Sequence, residues 1–139
     1  KGTNWMKYAG ADYITPNLKE INAVLPDPIR NEDQPVEMAA RSVMKKYQLG
    51  SLIVTRSEAG LSLICEGEIK HIPTKAQEVF DVSGAGDTVI AVFAMGIAGD
   101  IAPVASAYLA NLAAGVVVAK LGTYAVSREE LLKALEKEK

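Results

Sequence analysis

Two stretches in the last third of the sequence, residues 86–98 and 104–119, are apolar almost all the way round a helical wheel. A helix of that kind has no face to give to water, so it is buried on more than one side. A chain holding two of them must stack its elements in layers, and the expected arrangement is a three-layer domain. The same helices hint at partner surface that the chain itself does not supply. The rest of the sequence alternates short β-branched runs with helical spacings, the pattern of an α/β fold.

Thr3 is placed to cap a short helix ending before Gly10. Asp12 to Thr15 reads as a buried strand stopped by Pro16, and Asn17 to Leu25 as a helix closed by Pro26 and Pro28. After a polar loop over 26–33, Asp33 is the expected cap of a helix with Pro35 in its first turn, running to Tyr47. Ser51 to Thr55 is a buried strand, Arg56 to Gly60 a turn, and Leu61–Cys65 with Glu68–Ile72 an antiparallel pair around Gly67. A helix begins within Gly84–Asp87 and runs to Ala98, another runs from Pro103 to about Lys120, and a last one is capped by Ser127 with Glu130 completing a capping box.

Composition narrows the function classes. With 139 residues, 49% of them hydrophobic, and a net charge of −2, the chain can bury a real core and is not disordered. Lys and Arg number 15 against 17 Asp and Glu, with no basic cluster, which argues against a nucleic-acid binder. Cys65 and His71 are each the sole residue of their type, excluding an internal disulfide framework and multi-Cys or multi-His metal sites. The longest uncharged apolar stretch, Val89 to Gly99, falls short of the roughly 20 residues a bilayer crossing needs. No membrane span and no leader are expected, and a cytoplasmic location follows. The opening Lys1-Gly2-Thr3 does not read as a natural start, so a fragment of a longer protein is expected.

The segment that carries chemistry is Asp81-Val82-Ser83-Gly84-Ala85-Gly86-Asp87-Thr88, leading straight into an apolar helix. Glycines allow torsions that a Cβ forbids, and here they let N–H groups converge on one point at a helix N-terminus. Unsatisfied N–H groups and the positive end of the helix dipole then face the same spot, which suits an anion. The plainer reading is a glycine turn with Asp87 as N-cap. A dinucleotide fingerprint fits less well, because the third glycine is missing and the segment lies late in the chain.

Asp81 to Thr88 resembles the C-terminal signature of the ribokinase, or PfkB-type, sugar kinases. Thr15-Pro16-Asn17-Leu18-Lys19-Glu20 resembles that family's Asn-x-x-Glu element, and Thr55-Arg56-Ser57-Glu58-Ala59-Gly60 its Thr-x-Gly-x-x-Gly nucleotide loop. Ser57 departs from that pattern, since many members have glycine there. Asn111 resembles the family's helix residue near the adenosine. Thr-Arg-Ser-Glu at 55–58, Pro73-Thr74-x-Ala76-x-Glu78-Val79, and Val118–Thr123 with Val126-Ser127 are similar to the heptose 7-phosphate kinase subfamily.

The resemblance implies the C-terminal, ATP-binding part (residues 1–139) of a three-layer αβα ribokinase-like kinase, with a mostly parallel sheet plus a β-hairpin. It implies transfer of the ATP γ-phosphoryl to the anomeric hydroxyl of D-glycero-D-manno-heptose 7-phosphate, a step toward ADP-heptose and lipopolysaccharide. Asp87 would be the general base, and the N–H groups of Gly84, Ala85, Gly86 and Asp87 an anion hole. Asn17, Leu18, Lys19, Glu20, Thr55, Ser57, Gly60 and Asn111 would bind ATP. Asn17 and Glu20 would hold Mg²⁺ through water, and Asp81 and Ser83, with carbonyls near Val117, Lys120 and Gly122, a monovalent cation such as K⁺. The partner is a small sugar phosphate, with a homodimer expected at full length and little activity from this piece alone. The local alternatives are a capping box for Asn17 and Glu20, an ordinary tight turn at 55–60, and a core polar role for Asn111. His71 is expected to be an uninvolved surface residue, Cys65 a small core hydrophobe, and 129–139 a solvated helix face. The rival functions are another sugar or nucleoside kinase of this family, or a non-catalytic nucleotide-binding module.

Overall fold

The structure is a computed structural model that describes residues 2–75 and 78–138. Lys1, Ala76 and Lys139, part of segments named above, lie outside the described residues. The chain divides into two compact units, Lys1–Pro73 and Thr74–Lys139.

In the first unit a 3-10 turn, Trp5–Tyr8, leads into β1 (Tyr13–Ile14), α1 (Leu18–Asn22), α2 (Asp33–Tyr47), β2 (Ser51–Thr55), β3 (Leu61–Ile64) and β4 (Ile69–Ile72). The four strands form one sheet in the order β1-β2-β3-β4. β1 runs parallel to β2, with Tyr13 opposite Ser51. β2 and β3 are antiparallel with Thr55 opposite Leu61, and β3 and β4 are antiparallel with Ile64 opposite Ile69. The sheet is therefore mixed rather than mostly parallel. Only the β1–β2 connection carries the helices that a parallel crossover requires, whereas the later strands return through tight turns.

Leu52, Val54 and Ile64 share a core with Val36, Ala40 and Val43 of α2. Ile53 and Leu63, which point the other way along their strands, are equally buried, as expected for strands covered on both faces. Trp5 is fully buried, donates its indole N–H to the Gly2 carbonyl (2.9 Å), and packs tilted against Tyr47 with centroids 5.9 Å apart.

Several local expectations shift. Asn4, not Thr3, precedes the first turn, and no side chain caps it. α1 stops at Asn22, because the chain bends there ahead of Pro26. Asp33 begins α2 instead of capping it, and Glu32 holds the cap position without a side-chain bond. The Asp33 carboxylate is engaged elsewhere, on Arg56. Cys65 lies just past the end of β3 and is half-buried.

The second unit holds α3 (Ala85–Ala98), α4 (Pro103–Val118) and α5 (Arg128–Glu136). α3 and α4 pack closely because Gly96 has no side chain: a Cβ there would collide with Ser106 of α4. α4 is buried on more than one side, as its composition demands. α3 is not. Asp87, Ile90, Ala91, Ala94, Met95 and Ala98 lie exposed at helical spacing, with Met95 71% exposed. α5 starts with the expected capping box: Ser127 Oγ accepts from Glu130 N (3.2 Å), and Glu130 returns to Ser127 N (3.0 Å). The Ser127 N–H and the Tyr124 hydroxyl (2.9 Å) together hold the Glu130 carboxyl down to about 2.

Candidate active site

The second unit contributes the start of α3. Gly84 occupies the cap position with φ 80°, a left-handed torsion that only glycine adopts without strain. Asp87 is consequently not the N-cap. It sits in the first helical turn, exposed. The first helical bond runs from Thr88 N to the Gly84 carbonyl (2.9 Å), and the Thr88 hydroxyl reinforces it (2.9 Å). Of the four N–H groups assigned to the anion hole, that of Ala85 turns back onto the Val82 carbonyl (3.2 Å). Those of Gly84, Gly86 and Asp87 make no backbone hydrogen bond among the described residues. These are the donors a helix N-terminus leaves over.

Gly86 differs from Gly84. Its torsion is ordinary, and an added Cβ would meet nothing within 4 Å. Torsion therefore explains one of the two glycines and leaves the other unexplained by the fold. Alanine would serve the helix better at that position by roughly 0.5–1 kcal/mol. The missing side chain leaves open space beside the donors and Asp87.

Asp81 staples the loop ahead of α3. Its Oδ1 accepts from Ser83 N (2.8 Å) and its Oδ2 from Gly122 N (3.1 Å). The hydrogen bonds from Ser83, then that from Gly122, hold its carboxyl below the ordinary range. Phe80 N and Asp81 N both donate to the Val118 carbonyl at the end of α4 (2.8 and 3.2 Å). Asp81, Ser83 and Gly122 are thus brought together, through N–H groups that donate to the Asp81 carboxylate. Asn111, in the middle of α4, is 6% exposed.

The first unit gathers its own set at the carboxyl ends of the parallel pair β1 and β2. Ligands of open α/β sheets bind at such strand ends. Asn17 caps α1: its Oδ1 accepts from Glu20 N (2.8 Å), and Glu20 Oε2 accepts from Asn17 N (2.9 Å). The capping box expected as the local alternative is present. Asn17 also bridges to Thr55, whose N–H donates to the Pro16 carbonyl (3.0 Å), so the Asn17–Glu20 and Thr55–Gly60 segments are neighbours. The turn after β2 is closed by Arg56 N to Gly60 O (2.8 Å) and Ala59 N to Arg56 O (3.1 Å). Ser57 has φ 54° and Gly60 φ 82°. Ser57 is thus left-handed at the position where many family members carry glycine.

Arg56 was missed as a candidate. Its side chain is 3% exposed and bonds Asn31, Asp33 and Ser62, beside His71. His71 is correspondingly no bystander: its Nδ1 lies 2.8 Å from Ser62 Oγ and 3.7 Å from Asp33 Oδ1. The Arg56 hydrogen bond, aided by the nearby His71 and Arg56 charges, holds the Asp33 carboxyl below the ordinary range. An arginine at a buried strand end, just ahead of a glycine-containing turn, was the available signal.

The model of the pfkB family carbohydrate kinases matches residues 5–130. The chain belongs to this family. Among curated relatives, the bifunctional protein HldE of Trichlorobacter lovleyi is 49% identical over 139 residues, covering 99% of this chain. The chain spans 28% of the length of that relative. The ribokinase of Arabidopsis thaliana, solved with ribose and ATP, superposes with a TM-score of 0.81 at 24% identity, over 90% of this chain and 41% of that one. The phosphofructokinase-2 of Escherichia coli, solved with potassium, gives a TM-score of 0.84 at 15% identity, over 95% of this chain and 42% of that one. These likenesses establish the ribokinase-like α/β fold. Among the described residues, no helix is long and apolar enough to cross a membrane.

Proposed function

We propose that the protein carrying this chain is an ATP-dependent kinase of D-glycero-D-manno-heptose 7-phosphate, forming the 1,7-bisphosphate. The observation that carries this reading is the start of α3: N–H groups of Gly84, Gly86 and Asp87 that make no backbone hydrogen bond among the described residues, open space at Gly86, and the exposed Asp87 carboxylate in the same turn. The 49% identity to a bifunctional HldE protein and the Thr-Arg-Ser-Glu stretch at 55–58 support the choice of sugar.

Phosphoryl transfer asks a protein for alignment and charge stabilisation more than for covalent chemistry. An Asp87 carboxylate oxygen takes the proton of the anomeric hydroxyl. The freed oxygen attacks the γ-phosphorus, and the bond from that phosphorus to the β–γ bridging oxygen breaks, releasing ADP. The helix N-terminal N–H groups hold the charge on the moving phosphoryl; Ala85, its N–H given to Val82, shapes the turn more than it donates. Thr55, Ser57 and Gly60 line the nucleotide phosphates and ribose, and Asn17 to Glu20 orient the phosphates. Asn111 acts from within α4, on the adenosine side.

No cluster of three or more His, Cys, Asp or Glu able to hold a metal occurs among the described residues. Glu20, whose carboxylate caps α1 at the first unit's strand ends, fits Mg²⁺ held through water and through the phosphates, the manner this ion prefers. Mg²⁺ bound there would neutralise phosphate charge. Asp81, Ser83 and the carbonyls near Val117, Lys120 and Gly122 would supply oxygen ligands of the kind that suits K⁺. A reaction drawing on ATP belongs in the cytoplasm.

The test is ADP release by the full-length protein with heptose 7-phosphate, set beside fructose phosphates and ribose. Turnover restricted to the heptose is expected. Turnover with another sugar alone replaces the substrate, and ATP binding without ADP release from any sugar replaces the enzyme by a binding module. The 139-residue chain alone is expected to bind ATP weakly and turn over little. Full turnover by it in the same assay contradicts that.

A further inference from the structure

We propose that Arg56 is a positioning residue for nucleotide binding: its buried guanidinium locks the 56–60 turn in the conformation that receives ATP. The proposal rests on the assignment of residues 55–60 to the nucleotide. Arg56 works from both ends of its own residue. Its backbone closes the turn through Gly60 O and Ala59 N, and its carbonyl also accepts from Asn31 Nδ2 (3.0 Å). Its side chain reaches Asn31 Oδ1 through Nε (2.9 Å), and through Nη1 both Asp33 Oδ1 (2.6 Å) and Ser62 Oγ (3.0 Å), with His71 Nδ1 at 3.4 Å.

Those partners come from the loop before α2, the start of α2, β3 and β4. One planar donor group thereby ties the root of a short turn to four separate pieces of the unit, a fork that lysine cannot reproduce. The turn needs such a tie. Ser57 stands in the left-handed region without being glycine, and a strained torsion persists only where its surroundings over-determine it. Ser57 and Glu58 are exposed at the tip, where Glu58 Oε1 accepts only a long bond (3.5 Å) from Asn31, itself a partner of Arg56. Members with glycine at this position have no such strain to hold. Here the arginine network takes that part.

The test compares the full-length wild-type protein with Asp33→Asn and Arg56→Lys, reading the Kd for Mg·ATP by calorimetry, then kcat and both KM values. Asp33 is 64% exposed, so its change keeps the fold even where Arg56→Lys loses it. Loosening the tie is expected to weaken ATP binding and raise KM for ATP about tenfold, the scale of one charge-assisted hydrogen bond, with kcat and the sugar KM unchanged. A purely structural role would lower activity through the amount of folded protein and leave KM for ATP alone. Folded variants with wild-type ATP affinity overturn the proposal and leave the kinase reading standing. A wild-type protein that binds no ATP removes the nucleotide assignment and the proposal with it.

Discussion

At Gly86 a glycine stands inside a helix where the torsion does not ask for one and the neighbouring space is empty. If that space is kept for a phosphoryl group, Gly86→Ala acts in opposite directions on stability and activity. The alanine variant is expected to gain about 0.5–1 kcal/mol in chemical denaturation while losing most of its turnover. A variant that gains stability and keeps its rate removes the reason for this glycine. Gly84 was legible in the sequence as a torsion, because a glycine just ahead of a helix has few other uses. The place of Asp87 was not, since which residue caps a helix depends on where φ turns positive, and that happens at Gly84. Arg56 and His71 escaped for a different reason. Arg56 meets Asn31 from 25 residues away, His71 meets Asp33 from farther still, and no local pattern encodes such a meeting.

Among the elements, α3 and α4 meet through Gly96 and Ser106. Gly96→Ala must push the helices apart, and a loss of about 1–3 kcal/mol in denaturant unfolding is expected, the usual cost of overpacking. An unchanged midpoint would mean the close approach is not maintained in solution. The start of α5 depends on Glu130, whose folded value of about 2 lies below the ordinary 4.5. A depressed carboxylate stabilises above its unfolded value and loses that contribution as pH falls through its folded one. The cap should weaken between pH 4.5 and about 2, seen as loss of α5 amide protection, and Glu130→Gln should abolish that pH dependence. This capping box was readable from Ser127 and Glu130 alone, as was that of Asn17 and Glu20, because both are contacts three residues apart. The parallel character of the sheet was overestimated. Strand direction follows from how the chain returns, and the turns after β2 and β3 leave no room for a crossover.

For the molecule as a whole, the apolar stripe Ile90, Ala91, Ala94, Met95 and Ala98 of α3 remains exposed in a chain that spans 28% of its HldE relative. Exposed stripes of this kind drive association. The 139-residue chain is expected to sediment as more than a monomer, and Met95→Lys to shift it toward the monomer. Family membership was legible because four motifs occur in order along the chain, a combination that no single glycine turn could supply. In the proposed reading, fold joins function at one carboxylate, that of Asp87, beside the donors at the head of α3. The most direct measurement is kcat for ADP formation by the full-length protein with heptose 7-phosphate, wild type against Asp87→Asn, with ATP binding followed in parallel. A fall of about 10²–10⁴-fold in kcat with ATP binding retained is the expected result. An Asp87→Asn enzyme that turns over like the wild type would contradict the assignment of Asp87 as the base.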